Sequence, residues 1–166
     1  QVEGKERPKL ELGDDPDKTG EYQMTFRVVN FGTEPLQYAI TPTVLTENAE
    51  TKGDYGNVQV YFATQTSRDI TAQTTWTTNC ANNVVTVPAK GTADVTVTVK
   101  LSDALRKELT DTFENGIYIE GYITLKQQAT AEGVTGCDLS IPYLAFYGDW
   151  DQAPVIDIGY YWQKLQ

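Results

Sequence analysis

The chain has 166 residues, of which 40% are hydrophobic and 22% are charged, the composition of a globular domain with a full core. Its 13 basic and 23 acidic residues give a formal charge of -10, which makes nucleic acids and anionic membrane surfaces poor partner candidates. No apolar run is long enough to cross a bilayer, so membrane insertion is not expected.

The sequence contains no histidine, which removes Ser-His-Asp and Cys-His catalysis and His-ligated zinc. We therefore expect no catalytic residue and no bound cofactor. Two cysteines, Cys80 and Cys137, lack CxxC spacing. They suit either one disulfide in an oxidising compartment or two buried free thiols, and both readings stay open. No signal-peptide pattern opens the chain, so we expect any export signal to lie upstream of Gln1.

Alternation of apolar and polar residues predicts strands along the first half of the chain. Residues 1–7 are polar and aperiodic, and we expect a tail or linker there, followed by one domain over residues 8–158. Strands are predicted at residues 8–12, 22–28, 36–45 and 58–62. Turns or loops are predicted at residues 13–20, 30–33 and 46–56. Pro42 marks an irregular or edge portion of its strand. Residues 64–83 give no clear pattern, and Trp76 is their expected anchor.

The second half predicts further strands and one short helix. Strands are expected at residues 84–87, 95–99, 117–125 and 139–147, with a loop at 129–136. The helix covers residues 102–113, because Ser102 suits an N-cap and Leu105, Leu109 and Phe113 form one apolar stripe. In the strand after it, Ile119 belongs to the core-facing set and Glu120 to the solvent-facing set. Gly121 replaces a core-facing side chain, so we expect a bulky group to pack over it.

Seven or more short strands with one short helix indicate an all-β fold, an antiparallel β-sandwich. The helix would bridge two strands across one end. A β-barrel is the alternative architecture that the pattern leaves open.

Three segments, in order, carry a family resemblance. They are TVPAKG at residues 86–91 with the strand at 93–99, FENG at 113–116 with the strand that follows, and LSIPYLAFYGDW at 139–150 running on to residue 156. Together they resemble the fibronectin-III-like accessory domain behind the catalytic domain of large extracellular subtilisin-like proteases. That group includes the C5a peptidases and the lactocepin-type cell-envelope proteinases. Residues 64–83 and 159–162 depart from the family pattern.

The resemblance implies a fibronectin-III/immunoglobulin-like sandwich in a bacterial protein that is secreted or associated with the cell wall. It implies a non-catalytic spacer or buttress whose partners are the neighbouring domains of the parent protease, and which contacts the protein substrate as a further role. The family's proteolytic residues lie in a separate domain, and none has a matching position here.

Two acidic groups are candidates for a Ca²⁺ site at one pole of the sandwich. They are Asp14, Asp15 and Asp17, and Asp149 and Asp151. The alternative is two solvated turns that use aspartate for turn geometry. Four further carboxylates offer a pair for glycoside hydrolysis, although a charge row on a solvated face is commoner. These are Glu108, Asp111, Glu114 and Glu120.

Aromatic residues give the remaining candidates. Trp76, Trp150 and Trp162, with the ten tyrosines, would form a sugar-stacking platform in the alternative function, a stand-alone extracellular adhesion or carbohydrate-binding module. Residues 159–166 are predicted to begin a linker or an interdomain contact. Tyr160, Tyr161 and Trp162, with Trp150 at the margin, are expected to pack on a neighbouring domain, since exposed aromatic clusters usually mark interfaces.

Overall fold

The computed structural model describes residues 9–55, 58–128 and 137–152. The predicted tail at 1–7 and terminal segment at 159–166 lie outside the described residues, and the predicted domain limits stay a prediction. The described residues form nine strands and one α-helix. The strands are β1 Leu10–Asp15, β2 Glu21–Val29, β3 Leu36–Tyr55, β4 Val58–Asp69, β5 Thr74–Thr78, β6 Val84–Val87, β7 Thr92–Leu101, β8 Ile117–Gln127 and β9 Leu139–Tyr147, and the helix is α1 Asp103–Thr112.

The strands form two sheets, which confirms the predicted β-sandwich. The larger sheet has the order β1-β9-β8-β3-β4, with β6 also paired to β3, and the smaller has the order β2-β7-β5. Every pairing is antiparallel except that of β1 with β9, which is parallel. The sequence did not reveal this one parallel pair, because alternation identifies a strand but not the direction of its neighbour. The strands β6 and β7, predicted around one tight turn, belong to different sheets.

The core lies between the sheets and is closed at one end by α1. Met24 on β2, Val97 on β7 and Ile119 on β8 have no exposed surface. Ser102 caps α1, accepting a hydrogen bond from the Leu105 N–H at 3.2 Å. Leu105 and Leu109 are buried against the sheets, as the predicted apolar stripe requires.

Gly121 sits where three strands approach one another. A Cβ atom there would lie 2.0 Å from the Thr43 carbonyl oxygen and 2.9 Å from the Tyr143 hydroxyl. The Tyr143 side chain crosses over the glycine, and its hydroxyl donates to the Thr43 carbonyl at 2.8 Å. The predicted bulky group over Gly121 is therefore this tyrosine of β9, which ties β9 to β3 across β8.

Pro42 occupies the one stretch of β3 where its missing N–H costs little. Val44 directs its polar groups away from β8, because its N–H donates to the Thr71 hydroxyl and its carbonyl accepts from the Ile70 N–H, both at 2.9 Å. Pro42, two residues earlier, faces the same way. Pairing with β6 ends at Ala39 and pairing with β4 begins at Leu45, so no described strand needs a donor there.

The polar loop predicted at residues 46–56 is wrong. There β3 continues to Tyr55 and pairs with β4, which runs on to Asp69, and the two form a hairpin that we call the arm. Its residues 47–53 are half-buried or exposed, so alternation between core and solvent is absent from the sequence. The pairing register also shifts between Glu47 and Ala49 and again between Thr51 and Asp54, which breaks any period of two.

Candidate functional site

The outer face of the larger sheet is the most distinctive surface of the described chain. Along β8, Tyr118, Glu120 and Tyr122 point away from the core, as predicted, and the two tyrosines are 39% and 41% exposed. The strand register places Glu120 between Leu144 of β9 and Leu45 of β3, both half-buried. A carboxylate in the centre of this face is therefore surrounded by leucine and tyrosine side chains.

The arm turns this face into a groove. Two adjoining cavities of about 420 and 360 Å³ share Glu120 and Leu144. In the first cavity, Gln65, Thr66 and Ser67 of the arm form one wall. The second continues over Tyr122 and Pro142 toward Lys9. We call this continuous surface the outer groove, and its floor is β8.

The outer groove is anionic. The carboxylates of Glu47 and Glu120 line it, and neither makes a hydrogen bond or ion pair with another described residue. Lys9 is the one lysine or arginine among the groove-lining residues, and its ammonium already contacts Glu11 at 3.1 Å. Because the whole chain carries a formal charge of -10, no surplus of basic residues offsets this local field.

One end of the same face carries a cluster of three aromatic rings, Tyr118, Phe146 and Trp150, which we call the aromatic cluster. Ring centroids lie 5.1 Å apart for Tyr118 and Phe146, 5.5 Å for Tyr118 and Trp150, and 5.2 Å for Phe146 and Trp150. Phe146 is covered, whereas Trp150 remains 54% exposed. The backbone N–H of Trp150 donates to the Asp14 carboxylate at 3.0 Å, which ties the chain after β9 to β1.

The acidic residues proposed for Ca²⁺ lie at this same end, because Asp15 pairs with Tyr147 and also bridges to Gly148. The turn predicted at 13–20 begins later than expected, since β1 extends through Asp15. The buried Asp15 carboxylate accepts from the N–H groups of Thr19 and Gly20 at 2.8 Å and from the Tyr22 hydroxyl at 3.2 Å.

Asp15 is thus engaged in holding the turn between β1 and β2. Burial, with the Asp15 carboxylate as the second cause, raises the pKa of Tyr22 well above its ordinary value. Asp149 accepts from the Asp151 N–H at 3.0 Å. Among the described residues, no group of three or more Asp, Glu, Cys or His side chains is arranged to hold a metal ion. The geometry of this end favours the turn reading.

The two cysteines lie near the first residues of β3 but are both free thiols in the structure. Tyr38 of β3 pairs with Val85 of β6 on one side and Gln127 of β8 on the other. Cys80 precedes β6 and is half-buried, which raises the pKa of its thiol. Cys137 is exposed, and its N–H donates to the Gln127 side chain at 3.0 Å. The disulfide stays a prediction.

The other candidates separate. Glu108 on α1 pairs with Arg68 of β4, and Asp111 pairs with Lys107 one helical turn away. Glu120 lies on β8, in the outer groove. Trp76 was expected in a polar loop but lies in β5 opposite Val99, half-buried against the core, so it offers little surface for a sugar ring. Tyr160, Tyr161 and Trp162 lie outside the described residues.

The described residues form a two-sheet sandwich with one helix at its end, and they assemble no catalytic pair. The protein is therefore a β-sandwich module by its fold. Comparison with known proteins makes the class specific: residues 10–144 match the family of Fn3-like domains, and the chain belongs to that family. This confirms the resemblance noted in the sequence.

The chain is similar to segments of larger bacterial proteases. It is 26% identical over 156 residues to the C5a peptidase of Streptococcus pyogenes, which covers 94% of this chain and 11% of that protein. It is 30% identical over 77 residues to the PII-type proteinase of Lactococcus lactis subsp. cremoris, which covers 46% of this chain and 3% of that protein. The chain thus spans about a tenth or less of the length of these relatives.

Among solved structures, the ASH/PapD-like domain of human CEP192 matches with a TM-score of 0.48 and 10% identity over 84% of this chain and 80% of that chain. A likeness at this level supports no inference about function. Within the described ranges, no helix has the length and apolar character needed to traverse a lipid bilayer.

Proposed function

We propose that this chain is a non-catalytic accessory domain of a bacterial subtilisin-like protease that is secreted or anchored to the cell wall, and that it buttresses the catalytic domain. The observation that carries the proposal is the 156-residue alignment, which takes in 94% of this chain but only 11% of a C5a peptidase. A domain that matches so small a fraction of a protease is a module of it rather than the catalytic unit.

The structure supports a rigid supporting role. Two sheets packed face to face around residues with almost no exposed surface resist deformation, as close-packed cores do. The aromatic cluster supplies the contact to a neighbouring domain. A half-exposed indole such as that of Trp150, packed on two other rings, is typical of an interface margin.

The decisive experiment uses the full-length protein, whose reading frame must also encode a Ser-His-Asp catalytic domain. Ile119→Asp unfolds the sandwich from its centre and leaves the catalytic domain untouched in sequence. We expect the half-life of peptidase activity on a short peptide to fall several-fold during heating, with little loss of initial activity at low temperature. Glu21→Gln, on the exposed face of the smaller sheet, is the control and should match the parent protein.

An unchanged half-life in the Ile119→Asp protein would show that the domain does not support the catalytic unit. A reading frame without a Ser-His-Asp domain would instead favour the adhesion or carbohydrate-binding alternative. We also expect the 166-residue chain alone to hydrolyse neither casein nor a panel of glycans.

A further inference from the structure

We propose that the outer groove is a binding site for an extended, cationic segment of polypeptide, with a lysine or arginine side chain seated on Glu120. This inference goes beyond the supporting role proposed above and does not depend on it. It rests on the shape of the groove, on its unpaired carboxylates and on the tyrosines beside them.

The position of Glu120 suits a cation. Outward-facing residues two apart on a strand are separated by about 6–7 Å, so the rings of Tyr118 and Tyr122 lie on either side of the Glu120 carboxylate. An ammonium or guanidinium group that pairs with the carboxylate there meets an aromatic ring on each flank, and the face of a tyrosine attracts cations. Leu144 and Leu45 on the adjacent strands offer apolar surface to the aliphatic stem of the same side chain.

Glu47 provides a second anionic point in the same groove. It follows Thr46, which pairs with Ile119, and therefore lies beside Tyr118 at the foot of the arm. Neither carboxylate has a partner among the described residues, and a ligand cation would give each its first. This distinguishes them from Asp94, Glu108 and Asp111, which are already paired with Arg27, Arg68 and Lys107.

The shape of the groove selects an extended segment over a flat protein surface. The arm rises along one side through Gln65, Thr66 and Ser67, so a broad partner would contact the arm before it reached Glu120. A single extended chain, with alternate side chains directed into the floor, fits between the arm and β9. Charge complementarity then fixes the sign of those side chains, because the groove presents two free carboxylates and its one lysine is paired.

The test measures binding of fluorescein-labelled twelve-residue peptides to the 166-residue chain by fluorescence anisotropy. The probes are two peptides of the same length, one of alternating Lys and Thr and the other of alternating Glu and Thr. We expect the Lys-Thr peptide to bind, more weakly as salt is added, and the Glu-Thr peptide not to bind. Failure of the Lys-Thr peptide to bind at low salt would overturn the proposal.

Two groove variants locate the site, and a change on the opposite sheet is the control. Glu47→Gln with Glu120→Gln should weaken binding about tenfold, since two partly exposed ion pairs are lost. Tyr122→Ser should weaken it about threefold through the lost cation–π contact. Glu21→Gln removes one charge from the opposite sheet, as Glu120→Gln alone does from the groove, and should change binding less than about twofold.

These changes are on outward-facing residues, so melting temperatures within about 2 °C of the parent chain should confirm that each variant is folded. Equal weakening by Glu21→Gln and by Glu120→Gln alone would show attraction to the overall charge of -10 rather than a site, and the proposal would be wrong.

Discussion

Ile119 and Glu120 are adjacent residues with opposite environments. Ile119 has no exposed surface and lies in the centre of the core, whereas Glu120 faces the outer groove. We expect Ile119→Asp to prevent folding, because an unpaired buried carboxylate costs several kcal/mol against a typical stability of about 5–15 kcal/mol. Glu120→Lys should shift the melting temperature only slightly. Thermal denaturation of both variants checks this, and similar shifts would contradict the assignment of faces.

At this scale the sequence was informative wherever one face of an element is buried. Alternation at residues 117–125 predicted both faces of β8 correctly, and the gap at Gly121 predicted that another side chain covers it. It did not identify Tyr143 as that side chain, because the contact joins residues far apart in sequence. Trp76 packs against the core, as its expected role as the anchor of residues 64–83 requires, but the strand around it was missed because its polar neighbours on β5 face solvent.

At the scale of elements, a charged pair joins α1 to the arm. Arg68 of β4 pairs with Glu108 of α1 and also donates to the Gln73 side chain at 3.1 Å. The hydrogen bond from Arg68 lowers the pKa of Glu108 below its ordinary value of 4.5. A carboxylate with a lowered pKa adds stability above its ordinary pKa and loses it as the pH falls through the folded-state value.

We therefore expect Glu108→Gln to destabilise the chain by about 0.2–1 kcal/mol at neutral pH, the range for partly exposed pairs. The difference from the parent should disappear in acid, as the pH falls through the lowered pKa of Glu108 and the parent's carboxylate is protonated. Urea unfolding at both pH values measures this. Asp111→Asn, which breaks the more exposed pair with Lys107, is the control and should cost no more. A deficit that persisted in acid would mean that Glu108 acts through packing rather than charge.

The arm is the element that the sequence could not predict. A strand reveals itself by alternation only when a core lies on one side of it, and residues 47–53 have solvent on much of both faces. Val58, Val60 and Phe62 did predict β4, and a strand of that length requires a partner. Residues 46–55 were the adjacent segment and had been assigned to a loop, so this requirement was the available signal for the arm. The outer groove could not be predicted either, because the arm forms one of its walls.

For the molecule as a whole, the two cysteines give a test of the compartment. Cys80 and Cys137 border the same end of the larger sheet from opposite sides of β3. If they are bridged, protein that has been exported and oxidised will contain no titratable thiol after denaturation without reductant. Such a bridge would stabilise the chain by about 4 kcal/mol in the chain-entropy account. Two reactive thiols in that material would contradict the pairing and leave the fold assignment intact.

Family membership and the sandwich were accessible from sequence because both depend on many short patterns in a fixed order. The parallel pairing of β1 with β9 was not, since it brings the first and last described strands together and leaves no local trace. That pairing has a functional consequence. It places Asp14 beside the chain after β9, where its carboxylate accepts from the backbone N–H of Trp150 and holds this residue next to β1.

Trp150 also gives the prediction that tests the contact with a neighbouring domain. In the 166-residue chain, Trp150→Ser should cost about 1 kcal/mol or less, because the ring is 54% exposed and its contacts are with Tyr118 and Phe146. In the full-length protein the same change should speed limited proteolysis several-fold at the predicted junction, residues 159–166. Contacts between domains typically bury about 600–1,500 Å², so the loss of one ring at the margin should loosen the contact without abolishing it.

The control for Trp150 is Phe31→Ser. Phe31 is 87% exposed in the turn after β2. The other end of β2 begins at Glu21, directly after the turn that Asp15 holds, and that end of the sandwich also carries Trp150. Phe31 therefore lies at the opposite pole. The Phe31→Ser change removes a more exposed aromatic ring but should leave the proteolysis rate at the junction unchanged. If Phe31→Ser accelerated cleavage as much as Trp150→Ser, the contact would not be specific to the aromatic cluster. If Trp150→Ser unfolded the 166-residue chain, the indole would belong to the core of this domain, and the neighbouring domain would have to be held by another surface.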